Sequence, residues 1–319
     1  MISLIQLLIE QTLKPKAIVL GGAAGSGKSY ITNNILGNIK NGIFKSKTNS
    51  TPFTYLNPDE FVEKQNLPLA NAVMAFKELF QDVKNKNQNI LWDTTAANIK
   101  NTLKQLEGYD VFMVMVYTHP IISILRNFER DRSLPFKAVL KTWDQVYNNI
   151  EEYRKIFGDN FTLIQNIPPG FEKQIQEFNT AAQQGKNALM QYLENLIQQN
   201  PDKFKSSFSK EFEFDTPEIE KAFNRVLSQT SYLSKDENIL KDIKKEFQKE
   251  FQKSNTEPDS NFLEKKISSA RNTQNRNEQN YMQNIEGIVN KLTSPQFKQI
   301  LQPSSETEIQ SKLNKFIGN

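Results

Sequence analysis

The chain has 319 residues, 37% of them apolar, with 40 Lys and Arg against 36 Asp and Glu, no cysteine and a single histidine. That length allows a sizeable core and two domains, while the missing cysteines exclude disulfides, thiolate zinc sites and cysteine nucleophiles. One histidine excludes His-pair catalysis and multi-histidine metal centres, so oxygen-ligated magnesium is the metal chemistry left open.

No apolar run reaches the roughly 18 residues that span a bilayer, so the expectation is a soluble protein of the cytoplasm with no membrane partner. Residues 1–170 carry 19 basic against 15 acidic side chains and residues 171–319 carry 21 against 21. The excess lies in the first half and is too small for a duplex-binding face.

Along the chain, Leu4, Leu7 and Leu8 recur at helical spacing and predict a short helical segment, 1–14, ahead of the first domain. From 16 to about 167, short apolar runs alternate with helical periodicity, the pattern of βα units around a parallel sheet. Strands are predicted at 17–20, 53–56, 90–92, 111–117 and 161–164. The fourth (VFMVMVY) is apolar on both faces, as a central strand requires. A helix is predicted at 30–36, and another from Leu69, Val73, Phe76, Phe80 and Val83, which should bury one face. After Pro168-Pro169-Gly170 strand-like runs nearly vanish and Gln and Asn become frequent, which sets a boundary between 15–170 and a mostly helical region, 171–319. Within it Leu240, Ile243, Phe247 and Phe251 keep an amphipathic helical spacing, whereas RNTQNRNEQ at 271–279 is either a loop or a solvated helix.

The strongest chemical signal is Gly22-Ala23-Ala24-Gly25-Ser26-Gly27-Lys28-Ser29, a full match to G-x-x-x-x-G-K-[ST] placed between a predicted strand and a predicted helix. Such a loop turns backbone N–H groups, including that of Tyr30, towards phosphate oxygens. Lys28 reaches the β and γ phosphates and the Ser29 hydroxyl ligates Mg²⁺. Asp59, in Asn57-Pro58-Asp59-Glu60-Phe61 after the second strand, is placed either as a general base for an acceptor hydroxyl or as a helix cap. Asp93, in Asp93-Thr94-Thr95 after the third strand, is a candidate for magnesium or its water. Arg126 and Arg130 are four apart on one helical face, ahead of Leu134-Pro135, and with Arg132 they predict a lid over a transferring phosphoryl group or, on the blander reading, surface ion pairs. His119 before Pro120 reads as structural.

Together, the P-loop, Asn57-x-Asp59, Asp93-Thr94-Thr95 and Arg126-x-x-x-Arg130 resemble the zeta-toxin and polynucleotide-kinase-like branch of P-loop kinases over about 15–167, and the chain looks like kinases predicted in tailed phages. Zeta toxins typically carry Glu-Gly-Thr at the third element, so Asp93-Thr94-Thr95 is closer to polynucleotide kinases. The resemblance implies a P-loop NTPase fold, a parallel sheet flanked by helices, with ATP and Mg²⁺ as cofactors. It makes Asp59 the base, with Arg126 and Arg130 on the phosphates and a small molecule, sugar nucleotide or nucleic-acid end as acceptor. The alternative is a nucleotide-binding protein whose helical region docks on a larger assembly. Leu8-Ile9-Glu10 resembles cleavage sites of prohead-targeting peptides, which would imply packaging into a virion; otherwise the segment is a helix packed on the first domain.

Overall fold

The structure, a computed structural model, describes residues 14–59, 69–130, 134–200, 214–228, 237–254 and 256–318. The predicted N-terminal helix and Arg132 lie outside these residues, as do the side chains of Leu69 and Val73. The chain divides into two compact units, one of residues 1–204 with 287–319 and one of 205–286.

The first unit is a mixed α/β body around a seven-stranded sheet: β1 (Lys16–Gly21), β2 (Gly37–Lys40), β3 (Ile43–Ser46), β4 (Pro52–Leu56), β5 (Ile90–Thr94), β6 (Asp110–Tyr117) and β7 (Phe161–Gln165), ordered β2-β3-β4-β5-β1-β6-β7. The five predicted strands form its parallel part, from β4 to β7. Ala17 to Leu20 are wholly buried, and so are Phe112 to Val116 in β6, because helices cover both faces.

Two strands were not expected. After the phosphate-loop motif the helix runs only over Lys28–Ile31 (α1), passes into a π-helical turn at Thr32–Leu36, and ends at Gly37, where β2 begins. β2 and β3 form an antiparallel hairpin that extends the sheet. Its two-residue loop is Asn41-Gly42, at φ 52° and 74°, the backbone that a tight hairpin turn needs and that Asn-Gly tolerates. The sheet is therefore mostly, not wholly, parallel.

Among the described residues up to 200, the other helices of this unit are α2 (Leu69–Asn85), α3 (Ile99–Leu106), α4 (Pro120–Phe128), α5 (Phe136–Asn148), α6 (Ile150–Phe157), α7 (Glu172–Gln183) and α8 (Lys186–Gln199). On one face of the sheet Ile18, Leu20, Phe112, Val114 and Val116 pack with Ile31 and Leu36. On the other face Tyr117 meets the rings of Trp143 and Tyr147 from α5, at 6.1 and 5.0 Å. The polar atoms of those two rings are satisfied by the strand end: Trp143 Nε1 donates to Thr118 O at 2.8 Å and Tyr147 Oη to Val116 O at 2.7 Å.

The second unit contains α9 (Pro217–Leu227), α10 (Glu237–Ser254) and most of α11 (Ser260–Thr293). Ile219, Phe223, Val226, Ile243, Phe247, Leu263 and Ile267 form its core, with Leu240 and Phe251 packed at its margin. The amphipathic spacing read at 240–251 thus faces this core. The polar stretch 271–279 is helical within α11, and all its described side chains are exposed.

The chain then returns to the sheet. α12 (Pro295–Ile300) and α13 (Glu306–Gly318) follow, and α13 places Ile309, Leu313, Phe316 and Ile317 in the same cluster as Ile18 and Phe112. Phe316 lies 5.5 Å from the Phe112 ring, and Lys16 Nζ donates to Ile317 O at 2.8 Å. Phe316→Ala should therefore cost about 3–5 kcal/mol, seen as a lower midpoint in urea unfolding of the full chain.

His119 has the structural part expected of it. Its Nδ1 accepts from the Ile121 N–H at 3.4 Å and so caps α4, its Nε2 meets Asn179 Oδ1 at 3.1 Å, and Phe178 packs edge-on at 5.3 Å. Burial lowers its pKa from 6.5 to about 4, the Asn179 hydrogen bond offsetting only part of this. The folded chain thus holds the neutral ring, and the unfolded chain binds a proton first as pH falls. This contribution is intact above pH 6.5 and is lost as pH drops towards 4, reaching about 2 kcal/mol by pH 5. Urea unfolding at pH 7 and pH 5 should show a steeper loss in the wild-type chain than in His119→Asn, which keeps a cap but cannot titrate.

Candidate functional site

Strand order places the site. β1 lies between β5 and β6, so the connections leaving its carboxyl end and theirs diverge, and a crevice opens along that edge. A cavity of about 810 Å³ occupies it, lined among others by Gly25 to Ser29, Tyr55, Asp59, Asp93, Arg126 and Arg130. The sequence-predicted residues from four separate segments thus meet in one place. Of the remaining phosphate-loop residues, Ala24 lines the cavity and Ala23 is buried beneath it, while Lys28 Nζ donates to Gly22 O at 3.0 Å. Tyr30 is 59% exposed and does not line it.

The loop is held against its surroundings by close approach. Gly25 and Gly27 have φ of 74° and 81°, a region open to glycine and strained for other residues. A Cβ at Gly25 would lie 2.5 Å from Ser123 O, and one at Gly27 would collide with Asn166 Nδ2. Asn166, just past β7, donates from that nitrogen to Ser26 O at 2.8 Å, and its own carbonyl accepts from Thr118 Oγ1 at 2.8 Å.

The two carboxylates sit in unlike surroundings. Asp93, next to last in β5, is 5% exposed, and Lys28 Nζ lies 3.7 Å from its Oδ1. Burial raises its pKa, and nearby Asp59 raises it further; the positive charge of Lys28 and the Tyr55 hydroxyl pull the other way without cancelling the rise. Asp59 is exposed and forms an ion pair with Arg130 at 3.7 Å. A chain of hydrogen bonds runs between them: Tyr55 Oη donates to Asp93 Oδ2 at 3.4 Å, Asn57 Nδ2 to Tyr55 Oη at 2.9 Å, and the Asp59 N–H to Asn57 Oδ1 at 2.9 Å.

Both described arginines of the predicted lid reach the cavity. Arg126, in the last turn of α4, donates to Gly25 O at 3.3 Å and is partly desolvated, which lowers its pKa from the usual arginine value. Asn127, fully buried, exchanges two hydrogen bonds with the Leu134 backbone, at 2.8 and 3.0 Å, and so fixes the two ends of the segment between α4 and α5.

Sequence reading missed Tyr55, Asn127 and Asn166 as site residues, and also the hairpin tip, where Ile39, Asn41 and Gly42 line the cavity. Asn41-Gly42 was a usable hairpin signal. Tyr55 and Asn166 had positional signals, since each stands at the carboxyl end of a strand like Asp93; Asn127 had none.

No family model matches the chain, and no curated protein does. Among solved structures, the native AvrRxo1-ORF1:-ORF2 complex is similar at 13% identity and a TM-score of 0.38 over 50% of this chain and 57% of that one. A structure of AvrRxo1-ORF1:-ORF2 with ATP gives 15% and 0.37, and one of AvrRxo1-ORF1:AvrRxo1-ORF2 with sulphate ions 14% and 0.36, over the same shares. The chain thus spans a little over half the length of the chains it matches.

Proposed function

We propose that the protein is an ATP-dependent phosphotransferase that moves the γ-phosphoryl group of ATP to an acceptor hydroxyl, with catalysis carried by 15–170. What carries this reading is the convergence on one cavity of the phosphate loop, two carboxylates and two arginines. A phosphate-binding module alone needs the loop, whereas transfer to an alcohol also needs a group to take the proton and cations to meet the developing charge.

Under this reading the backbone of the loop and Lys28 hold the ATP phosphates, and Arg126 and Arg130 face the transferring group. Ser29 and Asp93 suit magnesium, because both offer oxygen ligands in the same cavity. Bound there with ATP, the ion would neutralise charge on the phosphate oxygens. Asp59 orients the acceptor hydroxyl and accepts its proton as the new P–O bond forms, and ADP leaves with the electron pair of the broken bond. Asn57 Oδ1, accepting the Asp59 N–H, helps fix the backbone of that carboxylate.

Two substitutions test the assignment. Lys28→Ala should weaken ATP binding by about 10–100-fold by calorimetry, the value of one charge-assisted hydrogen bond, with folding retained. Unchanged ATP affinity would remove the phosphate site. Asp59→Asn keeps the shape of an exposed side chain and removes its charge, so ATP affinity should hold within about twofold while single-turnover transfer falls on the order of 10²–10⁴-fold. The acceptor for that assay comes from a screen with γ-labelled ATP over nucleosides, oligonucleotide ends and sugar nucleotides. Transfer retained in Asp59→Asn but lost in Asp93→Asn would move the base to the buried carboxylate.

A further inference from the structure

Beside the phosphate cavity lies a second pocket of about 270 Å³, bounded by α2, the carboxyl end of β5 and α3. Its wall is aromatic: Phe76 and Phe80 meet edge-on at 6.0 Å, and Phe80 and Trp92 at 5.1 Å. We propose that this pocket seats the phosphoryl acceptor and selects an uncharged alcohol built on a flat, largely apolar ring, an inference that rests on the phosphotransfer reading above.

Position is the first argument. Thr95 lines both the pocket and the phosphate cavity, and Pro58 lines the pocket while its neighbour Asp59 lines the cavity. A ring held among Phe76, Phe80 and Trp92 therefore presents a short hydroxyl-bearing arm towards the carboxylate assigned as base. Chemistry is the second. Among the described residues, the pocket's polar groups are hydroxyls and carboxamides, those of Thr95 and Asn101 among them, and Lys77 is the one lining residue of formal charge. A nucleic-acid end or a sugar nucleotide carries phosphates of its own, which bind through several cations or charge-assisted donors. Size is the third. The volume is below the roughly 300–1,000 Å³ typical of drug-sized ligands, so the pocket holds one ring system and not a chain of several.

The loop that closes the pocket is also maintained at a cost. Buried Ala96 has φ 53°, a left-handed conformation that costs a non-glycine residue about 1–2 kcal/mol. Two side chains from behind hold it there: Tyr153 Oη donates to Ala96 O at 2.9 Å and Asn149 Nδ2 to Ala97 O at 2.8 Å. Strain kept in place by its surroundings is a mark of sites shaped for a ligand.

In the transfer itself the acceptor oxygen bonds to the γ phosphorus, the bond from that phosphorus to the bridging oxygen breaks, ADP takes the electron pair, and the hydroxyl proton passes to Asp59. The binding test is separate from turnover. With the full chain, 2-(4-fluorophenyl)ethanol titrated by ¹⁹F NMR should bind saturably, and Ala97→Leu, which fills the pocket, should weaken binding about 10-fold or more. Phe76→Ala, which removes one ring from a half-buried position, should also weaken it. No saturable binding to the wild-type chain, or equal binding to all three proteins, overturns the proposal. Labelled-phosphate transfer from ATP is then measured to the same alcohol, to uncharged nucleosides, to a UDP-sugar and to a 5′-hydroxyl oligonucleotide. Transfer to ring alcohols that Ala97→Leu slows through KM supports it, and transfer confined to the UDP-sugar or the oligonucleotide overturns it. Binding that responds to Ala97→Leu without transfer to any acceptor would preserve the pocket and sink the phosphotransfer reading instead.

Discussion

The close approach of the 22–29 loop to the ends of β6 and β7 is the constraint on which the site depends. The loop turns back over the sheet edge only where no Cβ stands in the way. At Gly25 the obstacle is the Ser123 carbonyl, and at Gly27 it is the Asn166 amide. Asn166 then does more than fill space: it bonds the loop at Ser26 O and is itself tied to Thr118. The loop's shape is therefore imposed by β6, α4 and β7 together. A phosphate-binding backbone must be rigid before the ligand arrives, because ordering it on binding would subtract from affinity.

Two carboxylates open into the same cavity from unlike surroundings. Asp93 is buried against Lys28 and Asp59 is exposed against Arg130. Pairs of titratable groups in contrasting surroundings are how one site divides acid–base and electrostatic work. In the proposed reaction this division favours the exposed carboxylate for proton acceptance and the desolvated one for the metal, where low dielectric strengthens attraction to a cation. Tyr55 and Asn57 link the Asp93 carboxylate to the Asp59 backbone N–H, so the backbone that carries the exposed carboxylate is tied to the buried one.

Much of the first unit was legible because its signals are local. Hydrophobic runs bounded by turn residues marked the five parallel strands, and the glycine pattern with Lys28 and Ser29 marked the loop between strand and helix. The carboxyl-edge rule then located Asp59 and Asp93 without any knowledge of distance. What escaped was of two kinds. The β2–β3 hairpin carried its Asn-Gly signal, but the preceding apolar residues also fit a helix, and a π turn at Thr32–Leu36 ends that helix where periodicity alone would extend it. The return of α13 to the sheet carried no local mark at all: its amphipathic pattern states that one face will be buried and is silent about what buries it. Contact between Phe112 and Phe316 joins positions far apart along the chain, and only tertiary packing specifies it.

Four side chains and one glycine make that return specific. Lys291, near the end of α11, forms an ion pair with Asp144 of α5, both largely buried. A pair so placed loses hydration on both partners, and its attraction roughly offsets that loss, so it adds little net stability. Its effect is on alternatives: α11 docked one turn out of register would leave a buried charge without a partner, which costs several kcal/mol. Gly287 enforces the same register sterically, since a Cβ there would collide with the Asp144 carboxylate. Downstream, Arg154 Nη2 donates to Ile300 O at 2.8 Å and Gln165 Nε2 to Leu301 O at 2.7 Å, taking up carbonyls at the end of α12 that the helix itself cannot satisfy. The apolar residues of α13 supply the driving force for covering the sheet, but many apolar helices would do that. It is the polar contacts before α13, each useful in one register and costly in any other, that decide which helix covers the sheet and in what position.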